Sequence, residues 1–206
     1  MIPAATALER LRAGNRRFVA GERDVDRAFD QARRSELLRG QEPFAVILGC
    51  SDSRVPAETV FDQGLGDLFV IRVAGNIVAP SQVGSVEFAA ERAGARLVVV
   101  LGHSGCGAVE ATLEQLGRPS ATRSPNLRSI VDRIRPSVEA LLQAENPPDP
   151  DELARRAVRA NIDASVDHLR HGSPILEHLI RHDGLVVVGA EYSLETGRVD
   201  FFDAPG

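Results

Sequence analysis

Four short, continuous runs of apolar residues constrain this chain more than any other feature. FAVILG (44–49), LFVIRV (68–73), LVVVLG (97–102) and LVVVG (185–189) are too short for helices and lack the alternation of a half-solvated strand. Rich in Val and Ile, they read as strands buried on both faces. Helical patterns fill the intervals: 81–93, which Gly94 ends; AVEATLEQL after Gly107, stopped by Gly117 and Pro119; 126–145; 151–171; and a helix opened by Ser173 and Pro174 that runs through Arg181. Buried strands alternating with helices are joined by right-handed crossovers, so the fold class is α/β, with a mainly parallel central sheet flanked by helices. The ending LVVVGAEYSLETGRVDFF turns at Glu195-Thr196-Gly197 and adds a C-terminal antiparallel edge strand. Ahead of the first run, Ala7, Leu8, Leu11, Phe18 and Val19 fall at helical spacing and predict an N-terminal helical arm over 4–20. Residues 23–41 are charged and patternless, which predicts a loop with a short helix.

Composition narrows the function. A chain of 206 residues with 43% hydrophobic and 26% charged residues can bury a core and is not a disordered tail. The net charge is −5, and the 24 basic residues, all Arg, are spread along the chain; no nucleic-acid partner is expected. No apolar stretch approaches the ~20 residues of a membrane span, and Glu9 with four Arg breaks up the region where a signal peptide needs an apolar core. A cytoplasmic location follows, and there two cysteines, Cys50 and Cys106, are not a disulfide framework.

Where those cysteines fall is informative. Cys50 directly follows the first strand, in CSDSR; His103 and Cys106 directly follow the third, in GHSGCG. In an open parallel sheet the carboxyl ends of the strands form the ligand crevice, so Cys50, Asp52, Arg54, His103 and Cys106 are delivered toward one place. Two thiolates and an imidazole match a three-ligand zinc site with a fourth position for water; Asp52 would close the set if it bound as well. Other readings stay open on the residues alone. The cysteines could be small buried hydrophobes, His103 a hydrogen-bonded turn residue, GHSGCG an anion-binding turn, or one Cys with His103 a nucleophile pair. The spacings of His168, His171, His178 and His182 suit a second metal, although solvated helix faces explain them more simply.

The paired motifs CSDSRV (50–55) and GHSGCG (102–107) resemble those of the β-class carbonic anhydrases, as do EPFAVILGC before the first, DLFVIRVAGNIV (67–78) and GSVEFA from Gly84. The resemblance spans most of residues 4–110. It implies a single domain, with an arm over 1–40, the sheet and zinc site in 41–117 and 185–206, and a helical region in 118–184. It implies Cys50, His103 and Cys106 as ligands of one zinc ion per subunit, and Asp52 with Arg54 as the catalytic dyad. The implied reaction is reversible hydration of carbon dioxide to bicarbonate and a proton, by attack of zinc-bound hydroxide that the dyad orients. By the same resemblance Gln41 reaches the substrate pocket across a dimer interface, Phe69, Ala74 and Phe88 line it, and the Gly107 amide faces the substrate. The implied assembly is a homodimer or dimer of dimers, in which the arm wraps a neighbouring subunit. Because two thiolates cancel the formal charge of zinc, its water should be less acidic than at a three-histidine site, and activity should rise at alkaline pH. Asp52 released from Arg54 would ligate zinc and close the site at lower pH. Relatives switched by bicarbonate use a Trp near the first strand; here Ile47 takes that place, with Arg72 at the site's Arg, so such inhibition is not expected. The alternatives are hydrolysis of a carbon dioxide analogue (carbonyl sulfide or carbon disulfide) and a non-catalytic structural zinc site.

Overall fold

All four apolar runs are strands of one sheet, and the C-terminal hairpin supplies a fifth. The computed structural model describes residues 2–23, 31–117, 124–143 and 148–202. Strands β1 (Ala45–Gly49), β2 (Leu68–Arg72), β3 (Leu97–His103), β4 (Val186–Tyr192) and β5 (Val199–Phe202) lie in the order β2-β1-β3-β4-β5. The first four are mutually parallel, and β5 runs antiparallel to β4. Every residue of β1 and β3 is buried, as their unbroken apolar runs require.

Alternate side chains of these strands enter two cores. Val46, Leu48, Val98 and Val100 point into one; Ala45, Ile47, Leu97, Val99 and Leu101 point into the other. The second core is covered by α1 (Ala4–Ala20) and by the turn around the short helix α3 (Ala57–Val60). Between these in sequence lies α2 (Gln31–Glu36), which buries no residue. The first core is covered by α4 (Pro80–Arg92), α6 (Pro125–Leu142), α7 (Pro150–His171) and α8 (Pro174–His182), and α5 (Gly107–Gly117) leads from β3 toward that layer. Ser173 caps α8 by accepting from the Leu176 amide, with Pro174 at the first helical position, as the sequence suggested.

The connections make a switch point. From β1 the chain passes to β2 through residues that pack with the α1 core, then returns past β1 to β3 through α4 on the opposite face. The carboxyl ends of β1 and β3 are therefore neighbours from which the chain departs to opposite sides, where a parallel sheet opens a crevice.

One expectation is adjusted and another is met. The fourth strand runs to Tyr192 rather than stopping at Gly189, because β3 on one side and β5 on the other supply backbone partners along that extension. The 23–41 segment does carry a short helix, α2, although residues 24–30 lie outside the described residues, as do Pro119 and the expected end of the 126–145 helix. The helix α1 lies on its own sheet, with Ala7, Leu8 and Leu11 buried in the second core. Its backbone presses so close to the α3 turn that a Cβ on Gly14 would meet the Phe61 carbonyl oxygen at 1.7 Å. Buried Asn15 donates to the Val60 and Gly197 carbonyls (3.1 and 2.9 Å) and accepts from the Val199 amide (2.9 Å), pinning helix, turn and hairpin together.

Candidate metal centre

The sheet register brings the two motifs together. Gly49 is paired with Leu101, so Cys50 leaves β1 one residue beyond that rung while His103 closes β3 two residues beyond it. The chain then turns through Gly105, whose φ of +61° suits glycine, and returns Cys106 to the start of α5. Sγ of Cys50, a ring nitrogen of His103 and Sγ of Cys106 all lie within 4.8 Å of one another, and all three residues are buried. Among the described residues this is the one group of three or more such side chains placed to hold a metal ion. His168, His171, His178 and His182 form no such group; His171 pairs with Asp167 at 2.9 Å, and the His178 and His182 rings lie 4.8 Å apart on the solvent side of α8.

The donor set fits a zinc ion. His103 Nδ1 lies 3.0 Å from the Ser104 carbonyl, which fixes the tautomer and leaves Nε2 with its lone pair. That Nε2 is buried with no hydrogen-bond partner, an arrangement that costs free energy unless a cation uses the lone pair. Cys50 is surrounded by groups that favour its thiolate. The hydrogen bond from Cys106 pulls its thiol below the ordinary value; burial opposes this, while His103 and the amides of Gly75 and Asp52 add to the lowering. Cys106, which gives that hydrogen bond and is itself buried, is pushed up. Burial lowers His103, but the neighbouring Cys50, the Ser104 carbonyl and the Asp52 charge together outweigh burial and raise it. Two soft sulfurs and one nitrogen, three ligands in all, leave room for a fourth at a tetrahedral ion.

Beside the three ligands, Asp52 gives both carboxylate oxygens to Arg54: Nε donates to Oδ1 at 2.9 Å and a terminal nitrogen to Oδ2 at 2.7 Å, and the Arg54 amide also donates to Oδ1. First the side-chain hydrogen bonds and then the Arg54 amide, against burial, hold Asp52 well below the ordinary carboxylate range. Oδ2 lies 3.9 Å from His103 Nε2, so Asp52 is next to the metal position without being one of the clustered ligands. Arg54 also reaches the Gly105 carbonyl at 3.4 Å, tying the first motif to the second.

The expected pocket residues divide. Ala74 begins the turn after β2, beside Gly75, and Gly107 follows Cys106 at the start of α5; both belong to the cluster's surroundings. Phe69, Phe88 and Gln41 do not reach it within this chain. Phe69 is level with Val46, four residues short of Cys50, about 13 Å down the sheet. Phe88 is 54% exposed on α4, with its ring 6.2 Å from that of Phe69. Gln41 lies exposed ahead of β1, in a groove of about 930 Å³ with Arg39, Phe44 and Arg92.

Two contributions escaped the sequence. The Gly75 amide donates to Cys50 Sγ at 3.4 Å from a turn in which Gly75 and Asn76 both have positive φ (70° and 43°); the Gly-Asn pair was the available signal. Arg72 stands where a bicarbonate site would have its Arg, yet its guanidinium hydrogen-bonds the Cys50 and Asp52 carbonyls, and Ile47 is fully buried in the core.

The chain is similar to known proteins in sequence and in fold. The family model described as carbonic anhydrase matches residues 45–199. Carbonic anhydrase 2 of Mycobacterium tuberculosis is 39% identical over 200 residues, covering 97% of this chain and 93% of that protein. Among solved structures, the β-carbonic anhydrase CafA of Aspergillus fumigatus is 26% identical with a TM-score of 0.73, covering 98% of this chain and 91% of its own. A tetrameric β-carbonic anhydrase of Sordaria macrospora is 26% identical with a TM-score of 0.70, covering 83% and 86%.

Proposed function

We propose a reaction from one premise: the chain belongs to the β-class carbonic anhydrase family. It is a carbonic anhydrase, and the reaction we assign is zinc-dependent, reversible hydration of carbon dioxide to bicarbonate and a proton. The observation that carries this reading is the partnerless His103 Nε2, set among two cysteine sulfurs and beside an Asp52 carboxylate that both arms of Arg54 hold.

Cys50, His103 and Cys106 would hold the zinc ion, which supplies a water acidic enough to become a nucleophile near neutral pH. Asp52, ionised because Arg54 stabilises its charge, would accept a hydrogen bond from the attacking oxygen and so orient it toward carbon dioxide. Arg54 keeps Asp52 turned away from the cluster through a bidentate, charge-assisted pair. Asp52 Oδ2 lies 3.9 Å from His103 Nε2, so a carboxylate freed from Arg54 would be able to join the ligand set, and Arg54 would keep the site open. A structural zinc site has no use for such a pair. Gln41, Phe69 and Phe88 can serve the pocket only if a second copy of the chain brings them, which supports a homodimer or dimer of dimers.

Stopped-flow carbon dioxide hydration by protein verified to hold one zinc per chain, at about pH 7 and near pH 9, tests the reading. Turnover is expected at both and should climb with pH. Asp52→Ala should lose about a hundredfold or more in kcat while keeping its zinc. An inactive wild type with stoichiometric zinc would overturn the assignment, as would an Asp52→Ala protein that sheds zinc and unfolds.

A further inference from the structure

We infer that Arg72 is a positioning residue for this site, fixing the relative placement of Cys50 and Asp52 by bridging their backbone carbonyls. The inference rests on the proposed reaction for its meaning and on geometry for its substance. Arg72 is the last residue of β2 and is paired with Gly49, the last residue of β1. Beyond that rung the two chains stay joined: the Val73 amide donates to the Gly49 carbonyl (3.1 Å) and the Ser51 amide to the Val73 carbonyl (3.3 Å). The carbonyls of Cys50 and Asp52 then lie past the end of the strand ladder, where acceptors must find other donors. The Asp52 carbonyl accepts from the Val55 amide (3.0 Å), and Arg72 ties the two carbonyls together, Nε donating to that of Cys50 at 3.1 Å and a terminal nitrogen to that of Asp52 at 2.6 Å.

The fork matters. A guanidinium holds its donors in one rigid plane, so two acceptors bound to it are fixed relative to each other. Here the acceptors belong to the residue whose sulfur would hold the metal and to the residue whose carboxylate faces the nucleophile, and only Ser51 separates them. Arg54 fastens the same loop from its other side, to the Gly105 carbonyl at 3.4 Å. The CSDSR segment is thus suspended between two arginines, one anchored in β2 and one reaching toward the 103–106 turn. Arg72 touches neither substrate nor the reacting atoms; it acts through the residues it holds.

The test uses zinc-loaded Arg72→Met and Arg72→Lys proteins, with kinetics normalised to bound zinc and amide hydrogen exchange read at 51–54. Arg72→Met should keep its KM within about twofold and lose about ten- to a hundredfold in kcat, the usual effect of removing a group that orients a ligand. Its 51–54 amides should exchange faster while those of β1 and β3 do not. Arg72→Lys, a single point donor able to satisfy one carbonyl, should fall between. Wild-type kcat and wild-type exchange in Arg72→Met would overturn the inference. So would wild-type behaviour of Arg72→Lys, even if Arg72→Met failed to fold, because bridging two carbonyls would then be unnecessary. A wild-type enzyme inactive on carbon dioxide would sink the assigned reaction, and the exchange measurement would still decide the role of Arg72.

Discussion

At the scale of single residues, the site depends on backbone groups that no side-chain motif records. Gly75 combines a φ of +70° with close packing: an added Cβ would sit 2.8 Å from Ile134 Cδ1 and 3.0 Å from Ala108 Cβ. Gly75→Ala should therefore cost about 2–4 kcal/mol, from left-handed strain together with overpacking. Urea unfolding of the zinc-loaded protein measures this, and zinc should pass faster to a chelator because the amide facing Cys50 Sγ is displaced. Asp52 makes a second case, with a definite sign. Arg54 places its folded pKa below the unfolded value, so the stabilisation is present above the ordinary carboxylate pKa and is lost as pH falls through the folded value. Asp52→Asn should then alter the pH dependence of stability only below about pH 4, and modestly, since the Arg54 side chain is 56% exposed. Urea midpoints for both proteins from pH 3 to pH 9 check this; a difference in slope confined to neutral pH would contradict it. Cys50, Asp52, Arg54, His103 and Cys106 were legible in the sequence because chemically active side chains directly follow apolar strands. Gly75 and Arg72 were not legible in these roles, because an amide aimed at a sulfur and a guanidinium bridging two carbonyls exist only once β1 and β2 are in register.

Elements whose burial is intrinsic to their own residues were readable, and elements defined by partners were less so. The runs at 45–49 and 97–103 are apolar throughout because both faces are covered, and their limits came out within a residue or two. In β4, Glu191 interrupts the apolar pattern, and it takes β3 and β5 to extend the strand past it. The docking of α1 was the hardest to foresee, since an amphipathic helix says that it has an apolar partner and not which one. Buried Asn15 decides the matter with three hydrogen bonds to two other parts of the chain. Asn15→Ala should destabilise the protein by about 3 kcal/mol, because the Val60 and Gly197 carbonyls and the Val199 amide lose their partner together. A shift in the urea midpoint with an unchanged m-value is the expected record; an unchanged midpoint would mean that water replaces the side chain without loss.

For the whole molecule, the sheet has half-buried Phe69 beside exposed Phe88 at one edge and the Cys50, His103 and Cys106 group at the carboxyl ends of β1 and β3. If the proposed assembly completes the pocket, turnover per chain should fall when the protein is diluted below the dissociation constant of its copies. Phe88→Arg should bring on that loss at higher concentration, with zinc content unchanged. Activity plotted against chain concentration, alongside mass measured in solution, separates this from a pocket that one chain completes. The hydrogen bonds of Asn15 also carry a consequence for synthesis. They join residues 182 and 184 positions apart, so the first helix has its anchor in a hairpin translated long after it. For most of translation that helix has neither its full sheet nor its hairpin to lie on, and Leu8 and Leu11 remain an open apolar stripe on the nascent chain. The emergence of the hairpin, rather than that of the first strands, is the moment at which this fold can close.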